Sequence, residues 1–193
     1  MGPIIKRIGI GVGLATLVVL SVGMLLPATY TVSRSVVVNA EPAHIHTFVD
    51  DLAQWPNWTP WVKDDPTIEI EFGELTSGVG AHQAWDGDSG AGELTVTMSD
   101  PTTGVGYDMA FNEGKYLSKG TIEYKPGSDG TEVVWTMVGD NGRNPVSRYF
   151  GLMMDPMTGP MFEDGLNRLK LIAEKVTTPT EPTDPTDPTD PTE

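Results

Sequence analysis

The sequence predicts an α+β domain in which an antiparallel sheet curls round one C-terminal helix, with a single membrane-crossing helix ahead of it. Three observations predict this. Between residues 67 and 139, short stretches alternate apolar and polar side chains and are separated by turn residues, as in a half-buried antiparallel meander. Phe162, Leu166, Leu169, Ile172 and Ala173 then recur at helical spacing. Finally, 8–26 is a run of 19 residues without a charge.

Residues 1–7 form a short basic head carrying Lys6 and Arg7. The uncharged run that follows, at 1.5 Å per residue, makes about 28 Å of helix, close to the apolar thickness of a bilayer. The next basic residue, Arg34, lies beyond it. That asymmetry predicts a single-pass cell-membrane protein with a cytoplasmic N-terminus and an extracytoplasmic domain. The alternative is a cleaved signal peptide and a secreted or periplasmic product. Signal peptides have a shorter apolar region, about 7–15 residues, and small residues at −3 and −1. Cleavage after Ala28 would put Leu26 at −3, so the anchor is the favoured reading.

Residues 177–193 repeat Pro, Thr and an acid at a period of three. Such a stretch has nothing to bury and favours an extended, solvated chain. What remains, 30–176, has the size of one ordinary domain. It holds 10 basic and 22 acidic residues of a chain whose net charge is −15. An acidic surface of this kind repels phosphate backbones and excludes nucleic acid as a partner. The chain has no cysteine, which excludes disulfides, thiolate metal sites and cysteine nucleophiles.

Within the domain, the β-branched run Tyr30 to Asn39 reads as a strand. Glu41 and Pro42 open a helix whose apolar positions are Ile45, Phe48, Val49 and Leu52. Gln54 to Trp61 holds three tryptophans and two prolines, so it should turn tightly and plug one end of the core. Ile68 and Ile70 begin the meander, and Ala81 to Trp85 continues it. Leu94, Val96 and Met98 should share one face of the next strand. Val105, Tyr107, Met109 and Phe111, then Gly120, Ile122 and Tyr124, and last Val133, Trp135 and Met137 complete it. Pro145 to Met154 is a helical candidate ahead of the final helix. Asp155-Pro156 and Gly159-Pro160 should kink or break the path between the two.

Several motifs carry more than periodicity. Ser35 to Ala40 runs into Glu41-Pro42, and Asp51 to Trp61 reads D-x-x-x-W-P-x-W-x-P-W. Trp85-Asp86-Gly87, Gly90-x-Gly92, and Gly130-Thr131 through Val134-Trp135 follow. Tyr149 to Asp155 and Gly159 to Leu166 close the set. Taken together, these resemble the START/Bet v 1-like (SRPBCC) superfamily, specifically its polyketide cyclase/dehydrase-like branch, over the whole of 30–176. The resemblance implies a helix-grip fold, with a seven-stranded antiparallel sheet around a long C-terminal helix and an apolar cavity between them. It also implies a hydrophobic ligand, such as a lipid, sterol or polyketide, and no cofactor. Catalytic residues of the enzymatic relatives have no match here.

Strand parity puts Trp85, Tyr107, Trp135 and Met137 on the cavity side of the sheet, and Tyr149, Met153 and Phe162 are the helix-side candidates. An aromatic residue with a polar tip orients a ligand inside an apolar pocket. His44 and His46 sit two apart on a helix and do not share a face, so no metal site is read there. Gly87-Asp88-Ser89-Gly90 reads as a turn, not a nucleophile loop. The function expected is a membrane-anchored binding domain for a hydrophobic small molecule or lipid. One alternative is an enzyme on an apolar or aromatic substrate, with His82, Asp108 and Arg148 as the groups to test. Asp108 has the wrong parity if Tyr107 points inward. The other alternative is a protein-interaction module built on the Trp/Pro-rich segment.

Overall fold

The computed structural model describes residues 3–176, so the expected tail, 177–193, lies outside the described residues. The N-terminal helix α1 spans Pro3–Leu25, and β1, Thr29–Val38, follows after three intervening residues. After it come α2 (Pro42–Val49), one 3-10 turn (Leu52–Gln54) and two short helices, α3 (Trp55–Trp58) and α4 (Trp61–Asp64). Six strands complete the sheet: β2 (Glu69–Phe72), β3 (His82–Asp86), β4 (Gly92–Asp100), β5 (Gly104–Phe111), β6 (Tyr116–Gly127) and β7 (Gly130–Asp140). The last element, α5, runs from Pro145 to Val176. The sheet order is β1-β7-β6-β5-β4-β3-β2, antiparallel throughout. This is the helix-grip fold.

Alternation decides which face each strand buries. Val32, Leu94, Val96, Tyr107, Ile122, Val133 and Trp135 are buried on the concave face. Met98 does not join them. The register of β4 on β5 slips between Val96 and Met98, a bulge that leaves Thr97 opposite no partner and turns Met98 outward, 39% exposed. The same slip turns Ser99 inward. The expectation for Met98 fails because alternation cannot register an inserted residue.

The tryptophan segment plugs the core as its composition suggests. Trp55 and Trp58 are fully buried. Their indole N–H groups donate to the carbonyls of Val49 (2.8 Å) and Phe48 (3.0 Å), which satisfies acceptors at the end of α2. Trp61, the third tryptophan of the segment, stays partly exposed.

Helix α5 is continuous where a break was expected, with Pro156 and Pro160 inside it. Each proline leaves the carbonyl four residues earlier without its helical donor. Both prolines are exposed, so water can reach that side of the helix. The helix is also held on both sides of the prolines. Arg34 of β1 pairs with Asp155 at 2.8 Å and with Glu163 at 2.7 Å. Gly159, between those acids, carries no Cβ to obstruct the guanidinium.

Candidate functional site

Three concave-face glycines shape the interior of the grip. Gly92, Gly120 and Gly139 stand opposite Trp85, Tyr107 and Tyr30 on neighbouring strands. A Cβ at any of them would collide with the facing ring. Each ring therefore lies across its glycine, which brings aromatic surface close to the sheet backbone.

The centre of the grip is an aromatic cluster. Trp135 donates its indole N–H to the Tyr107 hydroxyl at 2.8 Å. Phe162 of α5 stacks on Trp135 with centroids 4.0 Å apart and planes at 1°. Trp58, Trp61 and Trp55 surround Trp135 at 5.3, 6.0 and 6.2 Å. Burial pushes the Tyr107 phenol well above its ordinary pKa, so it is a neutral hydrogen-bonding group at any physiological pH.

Of the residues singled out from sequence, Tyr107, Trp135, Met137 and Phe162 come together and are buried. Trp85 lies on the same face but nearer one end, half-buried and edge-on to Phe111 at 5.3 Å. Tyr149 and Met153 are elsewhere. The Tyr149 hydroxyl donates to the Val19 carbonyl of α1 at 2.7 Å, and Met153 is 54% exposed.

The three titratable candidates do not face the interior. His82 Nδ1 lies 3.0 Å from the Thr95 hydroxyl. Thr95 pairs with Asp108 across the strands, and Asp108 faces Lys119 at 3.4 Å. All lie on the outer face of the sheet, where Thr95, Asp108, Lys119 and Val138 help line an open depression of about 450 Å³. A second depression, about 510 Å³, lies between the start of α2 and the β6–β7 turn. Arg148 donates to the carbonyls of Gly142, Met24 and Leu26.

Two features escaped the sequence reading. The first is the Gln83 amide oxygen and the Ser118 hydroxyl, two of the three buried side-chain polar atoms without a hydrogen-bond partner among the described residues; the third is the Asn141 amide nitrogen. Gln83 and Ser118 share one concave row, Gln83–Leu94–Met109–Ser118–Gly139. Three strand spacings, about 14 Å, separate them. Parity within β6 would have found Ser118, since it alternates inward with Gly120 and Ile122. The second is a polar cluster at the far end of the sheet. His46 Nδ1 lies 3.3 Å from the Tyr124 hydroxyl, and its Nε2 lies 3.2 Å from the Ser99 hydroxyl. Ser99 also donates to Asp50 in a short hydrogen bond. Burial, followed by the nearby Asp50 charge, raises the Tyr124 pKa. Ser99 enters this cluster only because of the bulge in β4, a register change that alternation does not register.

A protein of Thermobifida fusca, solved in solution, matches with 24% identity and a TM-score of 0.57, covering 76% of this chain and 95% of that one. A protein of Chromobacterium violaceum matches at 17% identity and TM-score 0.52, over 75% and 96%. The di-domain ARO/CYC StfQ from the steffimycin biosynthetic pathway matches at 10% identity and TM-score 0.58, over 77% and 52%. At these identities the likeness is one of fold. No curated protein matches the sequence. Residues 29–174 match the family described as polyketide cyclase/dehydrase and lipid transport, and the chain belongs to that family.

Proposed function

We propose that the domain binds one hydrophobic small molecule or lipid between the concave face of its sheet and α5, and that α1 anchors it to a membrane. The family supports a hydrophobic ligand. The observation that carries the reading is the pair Ser118 and Gln83, whose polar atoms are buried in an apolar face without partners. Leaving such a group unsatisfied costs about 1–3 kcal/mol, and a ligand with polar groups at both ends, or one polar end at either residue, would remove all or part of that cost. Met137 and Met109 on the same face supply side chains that adapt to irregular apolar shapes. Tyr107, Trp135 and Phe162 form the floor against which an apolar body packs, and Trp85 stands at its outer end.

Anchoring rests on α1. Arg7–Leu25 is long and apolar enough to cross a bilayer, and its apolar side chains are exposed. The basic head favours a cytoplasmic N-terminus and an extracytoplasmic domain.

The test is a titration of the detergent-solubilised full chain with an environment-sensitive apolar dye, read by energy transfer from the buried tryptophans. Saturable transfer that long-chain lipids displace, and that Met137→Trp abolishes, is the expected result. Transfer that does not saturate, or that Met137→Trp leaves unchanged, would overturn the reading.

A further inference from the structure

Val146, Phe150, Met153 and Met157 of α5 are spaced i, i+4, i+7 and i+11, which places them on one stripe of the helix. They are 50%, 64%, 54% and 63% exposed. The sheet holds a different face, through Phe162, Leu166 and the Arg34 pairs to Asp155 and Glu163. An apolar stripe of some 16 Å therefore faces away from the core.

The charge pattern changes along the same stretch. No acid lies between Asp140 and Asp155, in a domain that has 22 acids. Arg143 and Arg148 are the charges there, and Arg148 caps carbonyls of Met24 and Leu26 at the end of α1.

This stripe starts at the membrane helix. Gly23 admits Pro145, since a Cβ there would overlap the Pro145 carbonyl. The Tyr149 hydroxyl reaches the Val19 carbonyl at 2.7 Å. Val19 lies six residues before Leu25, about 9 Å below the end of α1. With α1 spanning a bilayer, that distance from its end matches the roughly 5–10 Å by which interfacial helices bury their apolar faces, in the zone where tyrosine is enriched.

We propose that the outward stripe of α5 beds in the headgroup–acyl boundary of the bilayer that α1 crosses, so that the domain lies on the membrane instead of hanging from a tether. This rests on α1 being a membrane anchor. The occupant is lipid and not an anionic partner surface, because the stripe is apolar and the domain as a whole is acidic. Tyr116 and Leu117, 52% and 63% exposed, lie at the same end of the sheet, since Ser118 pairs with Gly139 beside the start of β1.

The natural chain has no cysteine, so single labels can be placed cleanly. The full-length protein would be reconstituted into phosphatidylcholine vesicles with a nitroxide at Phe150→Cys, Met153→Cys or Met157→Cys. Leu14→Cys reports the anchor, and Lys125→Cys reports the opposite end of the sheet. Collision with oxygen and with a water-soluble nickel chelate gives the depth of each label. The expected result is lipid-like accessibility at 14, 150, 153 and 157, with the last three about 5–10 Å deep, and water-like accessibility at 125. Salt should not change it. Lipid-like behaviour at 14 with water-like behaviour at 150, 153 and 157 would overturn the proposal and leave the anchor standing. Water-like behaviour at 14 would overturn the anchor and the proposal with it. Exclusion of both reagents with dipolar broadening at 153 would overturn it in favour of a face between two copies of the chain.

Discussion

Phe162 lies parallel to Trp135 at 4.0 Å, the one stacked ring pair among the described residues, and joins the long helix to the centre of the sheet. Trp135 in turn donates to Tyr107, so one hydrogen bond and one stack link α5, β7 and β5. Phe162→Ala should cost about 3–5 kcal/mol, the usual cost of removing a buried ring. A double-mutant cycle with Trp135→Leu should leave a coupling of about 0.5–1.5 kcal/mol. Urea unfolding measures both, and a coupling near zero would mean that the stack adds nothing beyond burial.

Gly120 is required by Tyr107, whose ring lies where a Cβ at 120 would be. Gly120→Val should destabilise the domain by about 1–3 kcal/mol through overpacking. Combined with Tyr107→Ala, the same substitution should cost less than it does alone. Thermal unfolding of the four variants in the cycle checks this.

Arg34 holds the Asp155 carboxyl below its ordinary pKa. A carboxylate whose folded pKa is depressed contributes stability above its unfolded pKa, near 3.9, and loses it as the pH falls through the lower folded value. The clasp between β1 and α5 should therefore weaken below about pH 4. Asp100 adds to the same slope, held at about 2 by hydrogen bonds from the Thr102 side chain and the Thr102 and Thr103 backbone. Arg34→Met removes the Asp155 share only. The urea midpoint of this variant should fall less steeply between pH 5 and pH 3 than that of the natural chain. Asp155 is half exposed, so high salt should shrink the difference.

Retention of α1 has a direct readout. The intact mass of protein isolated from host cells should include the head and the apolar run, and alkaline washing of the membrane fraction should not release it. A product beginning near Thr29 would mean signal cleavage.

Much of this fold was legible because alternation and helical spacing report burial directly. Tyr107, Trp135 and Met137 point inward as their parity demands, and Phe162 faces them from the stripe of α5. The continuity of α5 through Pro156 was not legible, because proline's cost depends on whether the orphaned carbonyls reach water and on what holds the helix around it. Arg34, 129 residues from Glu163, supplies that hold, and nothing local signals it. Ser99 was hidden by a one-residue bulge. Tyr149 and Met153 have the composition of ligand contacts, yet they belong to the part of α5 beside α1, a neighbour that helical periodicity does not name.

Native mass spectrometry of the full chain, purified in detergent from its host cells and then released from the detergent, tests the central claim most directly. The account predicts one apolar adduct per chain, retained by the natural protein, weakened by Ser118→Ala and absent from Met137→Trp. A clean apo mass, or an adduct that Met137→Trp retains in full, would contradict it.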